Sequence, residues 1–229
     1  MIYITGDKHR DFSTIKTFCQ ENNTTYEDIM IVLGDAGINY CMNEHDREVK
    51  RYLRTIPITF FFIHGNHEQR PQELVSYHKC IWHGGEVYIE EEFPNLIFAA
   101  DASCFDFDDK KYVTIGGAYS VDKYYRLMTG KAWWANEQPD DEIKQQFERL
   151  CESLDWKVNG VLSHTVPLKY EPTEMFLPGV DQSSVDKSTE IWLDSIEERL
   201  EYDEWYAGHY HTDKVVDKLT LMFNDIREL

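Results

Sequence analysis

Residues 58–68 read Ile-Thr-Phe-Phe-Phe-Ile-His-Gly-Asn-His-Glu, an apolar run that ends in a group of polar residues. Ile58–Ile63 has the length and the apolar, β-branched and aromatic character of a buried strand. Gly65-Asn66-His67-Glu68 follows it closely, at the carboxyl end of that strand. Ligands of open α/β sheets bind at this edge. The stretch therefore predicts a strand together with part of a functional site.

The same arrangement recurs four more times along the chain. Motifs that contain Asp or His follow four further apolar runs, which read as the strands Ile2–Thr5, Ile29–Leu33, Gly160–Leu162 and Trp205–Ala207. These motifs are Asp7-Lys8-His9, Gly34-Asp35, Ser163-His164 and Gly208-His209-Tyr210-His211. A single Asp-x-His is usually a turn, and a single Gly-Asp usually starts a loop. Five motifs in order, each after a strand, predict one site at one sheet edge.

The remaining apolar patterns predict how strands and helices alternate. Strands alternating with helices in the first third indicate βαβ units and a mostly parallel sheet. The predicted helices are Phe12–Asn22, Glu44–Arg54, Asp140–Leu154 and Ser188–Leu200. The further strands are Lys79–Trp82, Glu86–Ile89, Leu96–Ala100, Tyr112–Gly116, Lys214–Asp217 and Leu219–Phe223, with a hairpin turn at residues 108–111. Two sheets flanked by helices would form an α/β/β/α sandwich.

The order of the five motifs resembles the calcineurin-like metallophosphoesterase superfamily. Its signature blocks are Asp-x-His, Gly-Asp, Gly-Asn-His-Glu, a lone His and Gly-His-x-His, and the resemblance extends from Asp7 to His211. It implies an α/β fold, namely a four-layer α/β/β/α sandwich of two mixed β-sheets flanked by helices. Because the motifs come from both ends of the chain, residues 1–229 are expected to form a single domain.

The resemblance also implies a set of ligands for two divalent metal ions. One cation would be held by Asp7, His9 and His211, the other by Asn66, His164 and His209, with Asp35 bridging the two. Mn²⁺ is the expected metal, with Fe or Zn²⁺ as alternatives that suit the same ligands. A metal-bridging hydroxide would attack phosphorus, and His67 would protonate the leaving group. Asp35 and His67 are therefore the expected catalytic residues.

The chain departs from the family pattern in two places that affect substrate binding. Arg10 follows Asp-x-His where Gly is usual, and the second block lacks the Asp-Arg-Gly of eukaryotic Ser/Thr phosphatases. Protein phosphatase activity is therefore not specifically predicted. Lys123, Arg126 and Arg10 are the candidate substrate-binding residues, because cationic side chains can hold phosphate oxygens. The alternative is that residues 116–126 form a loop held by aromatic packing.

Several other side chains are given structural interpretations. His45, His78 and His83 lie outside every motif and are expected to be surface or packing residues. His64 is expected to point to the opposite face of its strand. Trp133 and Trp134 could cover the site or stack on a ring of the substrate, and their roles stay open.

Composition limits the classes of partner. The formal net charge of −19 opposes avid binding of nucleic acid, whose backbone is also anionic. A small phosphorylated substrate or a phosphoprotein is expected instead, because bound cations dominate the local field of a metal site. The five cysteines include no Cys-x-x-Cys pair and are expected to be buried free thiols. With no leader-like segment and no membrane-length apolar run, the expected location is the cytoplasm.

The leading functional hypothesis is metal-dependent hydrolysis of a phosphomonoester or phosphodiester. The first alternative is a nuclease of the same superfamily, which the acidic composition disfavours. The second is a catalytically weak metal-binding scaffold, which the full set of ligands and His67 disfavour. The natural substrate and the oligomeric state cannot be deduced from the sequence.

Overall fold

The computed structural model describes residues 1–229, along which strands and helices alternate. The strands are β1 (Ile2–Thr5), β2 (Ile29–Val32), β3 (Thr59–Phe62), β4 (His78–Trp82), β5 (Gly85–Ile89), β6 (Leu96–Ala99), β7 (Ser103–Phe107), β8 (Lys110–Ile115), β9 (Gly160–Ser163), β10 (Glu204–Ala207), β11 (Lys214–Val216), β12 (Leu219–Leu221) and β13 (Arg227–Glu228). The α-helices are α1 (Ser13–Asn22), α2 (Glu44–Leu53), α3 (Lys123–Thr129), α4 (Asp141–Ser153) and α5 (Ser188–Glu197). Short 3-10 helices cover Pro71–Glu73, Leu168–Tyr170, Thr173–Met175 and Gln182–Ser184.

The strands form two mixed sheets. The first has seven strands in the order β13-β1-β2-β3-β6-β5-β4, and the second has six in the order β11-β12-β10-β9-β8-β7. In the first sheet β1, β2, β3 and β6 are parallel, and antiparallel strands flank them on both sides. In the second sheet β8, β9, β10 and β12 are parallel between antiparallel β7 and β11. The predicted fold of two mixed sheets is confirmed.

The three consecutive phenylalanines of β3 show how the layers are built. Successive side chains of a strand point to opposite faces. Phe61 packs between the two sheets, where its ring lies 4.8 Å from that of Phe105 in β7. Phe60 and Phe62 face the other way and meet Phe12 and the buried side of α1 and α2. A strand that is apolar on both faces therefore lies between a helical layer and a second sheet.

A third apolar cluster lies between the second sheet and helices α4 and α5. It joins Trp205 of β10 to Phe147 of α4 and Leu193 of α5. Trp205 is fully buried, and its indole nitrogen donates a hydrogen bond of 2.7 Å to the hydroxyl of Ser163. The layers are thus helices, sheet, sheet and helices, which is the α/β/β/α sandwich that the sequence predicted.

The hairpin turn predicted at residues 108–111 joins β7 to β8. Asp108 and Asp109 have φ angles of 50° and 63°, the left-handed values that a tight two-residue hairpin turn requires. The sequence analysis missed β7 itself, although Ser103, Phe105 and Phe107 alternate as buried residues along it. The strand is short, and Cys104 is an apolar residue at a position where alternation predicts a polar one. The sequence pattern of a strand was therefore weak.

Two other elements were not predicted. Helix α3 occupies part of the segment that the sequence analysis described only as a loop candidate, and it exposes Tyr124, Leu127 and Met128. Such a helix lacks the apolar stripe that marks helices packed on a core. Strand β13 has only two residues and pairs antiparallel with β1 through the register Tyr3 with Glu228.

The carboxyl ends of β1, β2 and β3 in one sheet and of β9 and β10 in the other carry the five motifs of the sequence. The parallel arrangement of each group brings these ends to a common edge.

All five cysteines have free thiols, of which Cys19 and Cys151 are buried. None of the helices is both long enough and apolar enough to span a membrane.

Candidate metal centre

Two buried carboxylates, Asp7 and Asp35, form the middle of the site, and each is 2% exposed. Asp7 Oδ1 accepts a hydrogen bond of 2.9 Å from the backbone N–H of His209. Asp35 Oδ1 accepts one of 2.8 Å from the backbone N–H of His67. Each carboxylate thus holds the backbone of a different motif through a hydrogen bond. Asp7 Oδ2 has no hydrogen-bond partner although it is buried, which leaves one anionic oxygen free for a cation.

The first group of expected ligands lies around that free oxygen. His211 Nε2 is 3.3 Å and His9 Nε2 is 3.9 Å from Asp7 Oδ2. The two imidazole nitrogens are only 2.9 Å apart and belong to residues separated by more than half the chain. All three side chains can place a ligand atom within 4.8 Å of one another. Carboxylate and imidazole are donors that divalent transition metals accept.

In the second group, a ring nitrogen of His164 meets the amide oxygen of Asn66. His164 Nδ1 lies 2.8 Å from the carbonyl oxygen of Leu33, which can only accept a hydrogen bond, so Nδ1 carries the proton. In the neutral ring, Nε2 therefore presents a lone pair. It faces Asn66 Oδ1, another acceptor, at 2.8 Å. Two acceptors at this distance repel one another unless a cation or a proton lies between them.

Asp35 lies between the two groups. Its Oδ2 is 3.9 Å from His9 Nε2, and its Oδ1 is 3.7 Å from His164 Nε2. One carboxylate therefore offers an oxygen to each group. His209 completes the second group, with its ring 5.0 Å from that of His164. Burial and the neighbouring His164 lower the pKa of His209 to about 3, so the imidazole is in its neutral, ligating form.

The ionisation of Asp7 also suits a metal ligand. Burial favours the protonated carboxyl, but His164, His211 and His9 oppose that effect and keep the pKa of Asp7 below its ordinary value. The seven expected ligands thus combine carboxylates that can be ionised, imidazoles that can be neutral and one amide oxygen. Donors of these types suit divalent metal ions.

The backbone of the motifs is strained where it carries these side chains. His9, Asp35, His209 and His211 all have positive φ angles, between 43° and 67°. Such a conformation costs a non-glycine residue on the order of 1–3 kcal/mol, and it persists where the surrounding structure imposes it. Four of the seven expected ligands thus adopt this conformation, at the carboxyl ends of β1, β2 and β10.

Two motif glycines allow the strands to approach closely. A Cβ on Gly34, whose φ is 96°, would lie 2.1 Å from His164 Nδ1. A Cβ on Gly208 would lie 2.2 Å from Asp7 Oδ1. Both distances are far below van der Waals contact, so any larger residue would displace an expected ligand. These glycines therefore bring together ligands from the two sheets.

Comparison with known proteins agrees with this geometry. The sequence model of the family described as calcineurin-like phosphoesterase matches residues 1–213. The chain belongs to the calcineurin-like phosphoesterase family. No curated protein matches it.

Solved structures show the same fold at low sequence identity. The crystal structure of TT1561 from Thermus thermophilus aligns with a TM-score of 0.53 and 11% identity, over 97% of this chain and 87% of that chain. A second crystal structure aligns with a TM-score of 0.51 and 12% identity, over 96% of this chain and 88% of the other. At this identity the likeness concerns the fold alone. It confirms the α/β/β/α sandwich that the sequence predicted.

His67, the expected general acid, lies beside the expected metal ligands. Its Nε2 is 4.0 Å from Asp35 Oδ2 and 4.0 Å from Asp122 Oδ1. Its ring stacks on Tyr40 with 6.4 Å between centroids. Burial lowers the pKa of His67, while Asp35 and Asp122 act in the opposite direction. The side chain remains partly exposed, at 27%, so a substrate can reach it.

The side chain of Glu68 forms a hydrogen bond with the loop that contains Asn66 and His67. It is 2% exposed, and its Oε1 accepts a hydrogen bond of 3.0 Å from the backbone N–H of Gly65. Burial, with the nearby charge of Asp35, raises the pKa of Glu68 well above its ordinary value. A carboxyl in this position stabilises the turn that presents Asn66 and His67.

A cavity of about 430 Å³ opens over the site. Its wall contains His67 and five of the seven expected ligands, all except Asp7 and His164, together with residues from the segments 119–122 and 171–190. The residues of the wall are His9, Asp35, Asn66, His67, Tyr119, Val121, Asp122, Glu171, Met175, Phe176, Leu177, Val180, Gln182, Val185, Glu190, His209, Tyr210 and His211. A cavity of this size accommodates a small organic molecule.

The three cationic candidates for substrate binding lie outside this wall. Arg10 forms an ion pair with the buried Asp46, and its Nε donates to the carbonyl of Gly37 at 3.0 Å. Lys123 Nζ lies 4.2 Å from the centre of the Trp133 ring. Arg126 is only 1% exposed. The structure therefore places none of the three in the wall of the cavity.

Arg126 instead takes part in a buried network behind Asn66. Arg126 Nη1 donates to Ser120 Oγ at 3.3 Å, and Asn66 Nδ2 donates to the same oxygen at 2.9 Å. Glu137 accepts a hydrogen bond of 3.2 Å from the N–H of Ser120 and one of 2.8 Å from the indole of Trp133. The sequence analysis missed Ser120 and Glu137, because neither belongs to a motif. Trp133 is part of this network and does not line the cavity.

Three of the four histidines outside the motifs lie on the surface. His45, His78 and His83 are exposed. His64 is buried, at 5% exposure, and its Nε2 has no hydrogen-bond partner. Burial lowers the pKa of His64 well below its ordinary value, so the ring is neutral. It packs against the backbone at Gly116, where a Cβ would approach the Cβ of His64 to 2.6 Å.

Proposed function

We propose that this chain hydrolyses phosphoesters, either monoesters or diesters, at a centre of two divalent cations. The observation that carries the proposal is the pair of acceptors His164 Nε2 and Asn66 Oδ1, which face one another at 2.8 Å. The free Oδ2 of Asp7 supports it from the other half of the site. Membership of the phosphoesterase family makes phosphorus the expected centre of reaction.

The residues that would bind the two cations form two groups, and one further residue would be a ligand of both cations. Asp7, His9 and His211 would hold one cation. The other cation would be held by Asn66, His164 and His209. Asp35 would contribute to both, because its two oxygens point to different groups. When bound, two divalent cations lower the pKa of a water molecule and offset negative charge that develops on phosphate oxygens. Mn²⁺ is the proposed metal, with Fe or Zn²⁺ as alternatives.

His67 would donate the proton that the leaving oxygen needs. The proton is placed on Nε2, the nitrogen that lies 4.0 Å from both Asp35 Oδ2 and Asp122 Oδ1. These two carboxylates act against burial, which lowers the pKa of His67, and so help to retain a proton on the ring. The stacked ring of Tyr40 restrains the imidazole and thereby its direction. General acid catalysis of this kind contributes about 10²–10⁴-fold to the rate.

The proposed substrate is a small phosphorylated molecule or a phosphorylated side chain of a protein. The net charge of −19 disfavours long polyanions, so nucleic acid is not the proposed substrate. A metal centre can nevertheless attract one phosphoryl group locally.

Metal analysis combined with a chromogenic assay tests the proposal. Protein loaded with Mn²⁺ should contain two metal ions per chain and hydrolyse a nitrophenyl phosphomonoester, or its diester analogue, above the rate of metal-free protein. Two bound metals without any hydrolysis would favour a metal-binding scaffold. Protein that stays metal-free after loading would contradict the assignment of the ligands.

A further inference from the structure

The outer part of the cavity has a chemical character that differs from the metal centre. Its apolar wall comes mostly from the segment between residues 173 and 185, with one residue from the loop before α3. The apolar members are Val121, Met175, Leu177, Val180 and Val185, and the aromatic ones are Tyr119, Phe176 and Tyr210. Phe176 and Tyr210 stack with 6.4 Å between their centroids. An organic group of the substrate would therefore contact hydrocarbon and aromatic surface.

Apart from Asp35 and the histidines of the site, every charged side chain in this wall is acidic. These acidic residues are Asp122, Glu171 and Glu190. Glu171 already has a cationic partner, because Lys187 Nζ lies 2.6 Å from its Oε2. Glu190 has no such partner at hydrogen-bond distance. Asp122 Oδ1 lies 3.9 Å from Arg126 Nη1. Glu190 is thus the acidic residue of this outer wall that is buried without a cationic partner within 4 Å.

A hydrogen bond to one carboxyl oxygen holds Glu190 in place, and the other oxygen can accept a further hydrogen bond. It is 4% exposed, and its Oε1 accepts a hydrogen bond of 2.8 Å from the hydroxyl of Thr165. Its other oxygen, Oε2, is buried without a hydrogen-bond partner. A buried polar atom without a partner is costly, and such atoms in native proteins call for an explanation. A donor on a bound molecule would satisfy this oxygen.

We propose that the cavity selects phosphoesters whose organic group is apolar and ends in a primary ammonium, with Glu190 as the residue that receives the ammonium. This inference rests on the proposed function, because the phosphoryl end is assigned to the metal centre. The ammonium would lie between Glu190 and the ring of Tyr210, because Lys187 Nζ already lies over the ring of Phe176, 4.9 Å from its centre. A carboxylate and aromatic rings both favour a cation, the first by charge and the second through the ring quadrupole.

The ionisation of Glu190 is consistent with this role. Burial, together with the nearby charge of Glu171, raises the pKa of Glu190 to about 7. The side chain is therefore only partly ionised near neutral pH, and an arriving cation would favour the ionised form. An anionic group on the substrate would instead meet Glu171, Glu190 and Asp122. The same wall thus discriminates in favour of one charge and against the other.

Binding of phosphonates, which cannot be hydrolysed as esters, tests the inference independently of turnover. Three series of alkylphosphonates of increasing chain length are titrated calorimetrically into Mn²⁺-loaded protein, ending in an amino, a methyl or a carboxylate group. At the best length, the amino compound should bind about 10- to 100-fold more tightly than the methyl compound, the range for a charge-assisted hydrogen bond. The carboxylate compound should bind more weakly than the methyl compound.

Two variants assign the preference to Glu190. Glu190→Gln keeps the size of the side chain and should abolish the preference for the amino compound while leaving the affinity for the methyl compound within about threefold. Glu174→Gln is the control for the loss of an acidic residue near the cavity, because Glu174 is exposed, pairs with Lys214 and lies outside the wall. It should keep the full preference.

The outcomes separate this inference from the proposed function. Equal affinity for amino and methyl compounds, or a preference that survives in Glu190→Gln, would overturn the inference. Failure of all phosphonates to bind would overturn it as well. If the phosphonates bind in the expected order but the corresponding phosphate esters are not hydrolysed, the cavity assignment stands and the proposed hydrolysis fails.

Discussion

The amide nitrogen of Asn66 donates a hydrogen bond of 2.9 Å to the hydroxyl of Ser120, 54 residues further along the chain. This bond holds the amide nitrogen on the side of Ser120. With Nδ2 engaged by Ser120, Oδ1 is directed to His164. Ser120 is itself held by Glu137 through its backbone N–H. The orientation of an expected ligand is thus determined by residues that would not touch the metal.

Ser120→Ala should therefore weaken metal binding without removing any expected ligand. Loss of the hydroxyl leaves Asn66 Nδ2 unpaired and allows the amide to rotate. Changes to groups that orient metal ligands typically reduce metal affinity by about 10–100-fold. Competition with a chelator would measure the Mn²⁺ affinity. Ser103→Ala, at a buried serine of β7, is the control and should retain the affinity of the unaltered protein. An unchanged affinity in Ser120→Ala would show that the amide is held by other contacts.

Asp35→Asn should disturb both metal groups at once. Its two oxygens lie toward His9 on one side and His164 on the other. The substitution preserves the shape but removes the negative charge shared between two cations. We expect fewer than two metal ions per chain by elemental analysis, and loss of hydrolysis. Retention of two metals at normal affinity would mean that Asp35 is not the shared ligand.

His67→Asn should retain both metals and lose rate in a way that depends on the leaving group. For an alkoxide leaving group the loss should be about 10²–10⁴-fold, the range for general acid catalysis. Nitrophenolate leaves without protonation, so its loss should be much smaller. His45→Asn, at an exposed histidine of α2, provides the control and should leave both rates unchanged. Equal losses for leaving groups of different basicity would exclude His67 as the acid.

The sequence predicted the parts of the site that lie directly after strands. Asp7, Asp35 and Asn66 each follow an apolar run, and the parallel pairing of β1, β2 and β3 brings their carboxyl ends together. Periodicity and motif order are local signals, so they can be recognised without knowledge of the packing. For the same reason the fold, with the two sheets and their flanking helices, could be predicted from the order of the elements.

What the sequence did not reveal depends on long-range packing. Arg10 and Arg126 looked suited to bind phosphate oxygens, yet Arg10 pairs with Asp46 and Arg126 is buried against Ser120. A cationic residue near a motif carries no local sign of which acidic residue or hydroxyl it will meet. Glu190 was likewise missed, because it lies inside α5 and only the packing of residues 171–185 makes it part of a cavity.

Glu190 also provides a prediction about stability. Because its pKa is raised from 4.5 to about 7 in the folded protein, the folded state binds more protons than the unfolded state between these values. Stability contributed by the protonated carboxyl is therefore present below pH 4.5 and is lost as pH rises to about 7. The full penalty above this window is about 3 kcal/mol, since one pKa unit corresponds to about 1.4 kcal/mol.

Glu190→Gln should remove this pH-dependent penalty, because glutamine stays neutral and can still accept from Thr165. Relative to the unaltered protein, the variant should gain about 2–3 kcal/mol in free energy of unfolding between about pH 5 and about pH 8. Urea unfolding of metal-free protein at the two pH values would measure the difference, and metal-free conditions keep cation binding out of the comparison.

The groups that act on Glu190 are Glu171, Lys187 and Thr165. Glu198→Gln, at an exposed position just beyond α5, controls for the loss of a surface charge. A stability difference between Glu190→Gln and the unaltered protein that does not change with pH would show that Glu190 is ionised equally in the folded and unfolded chains.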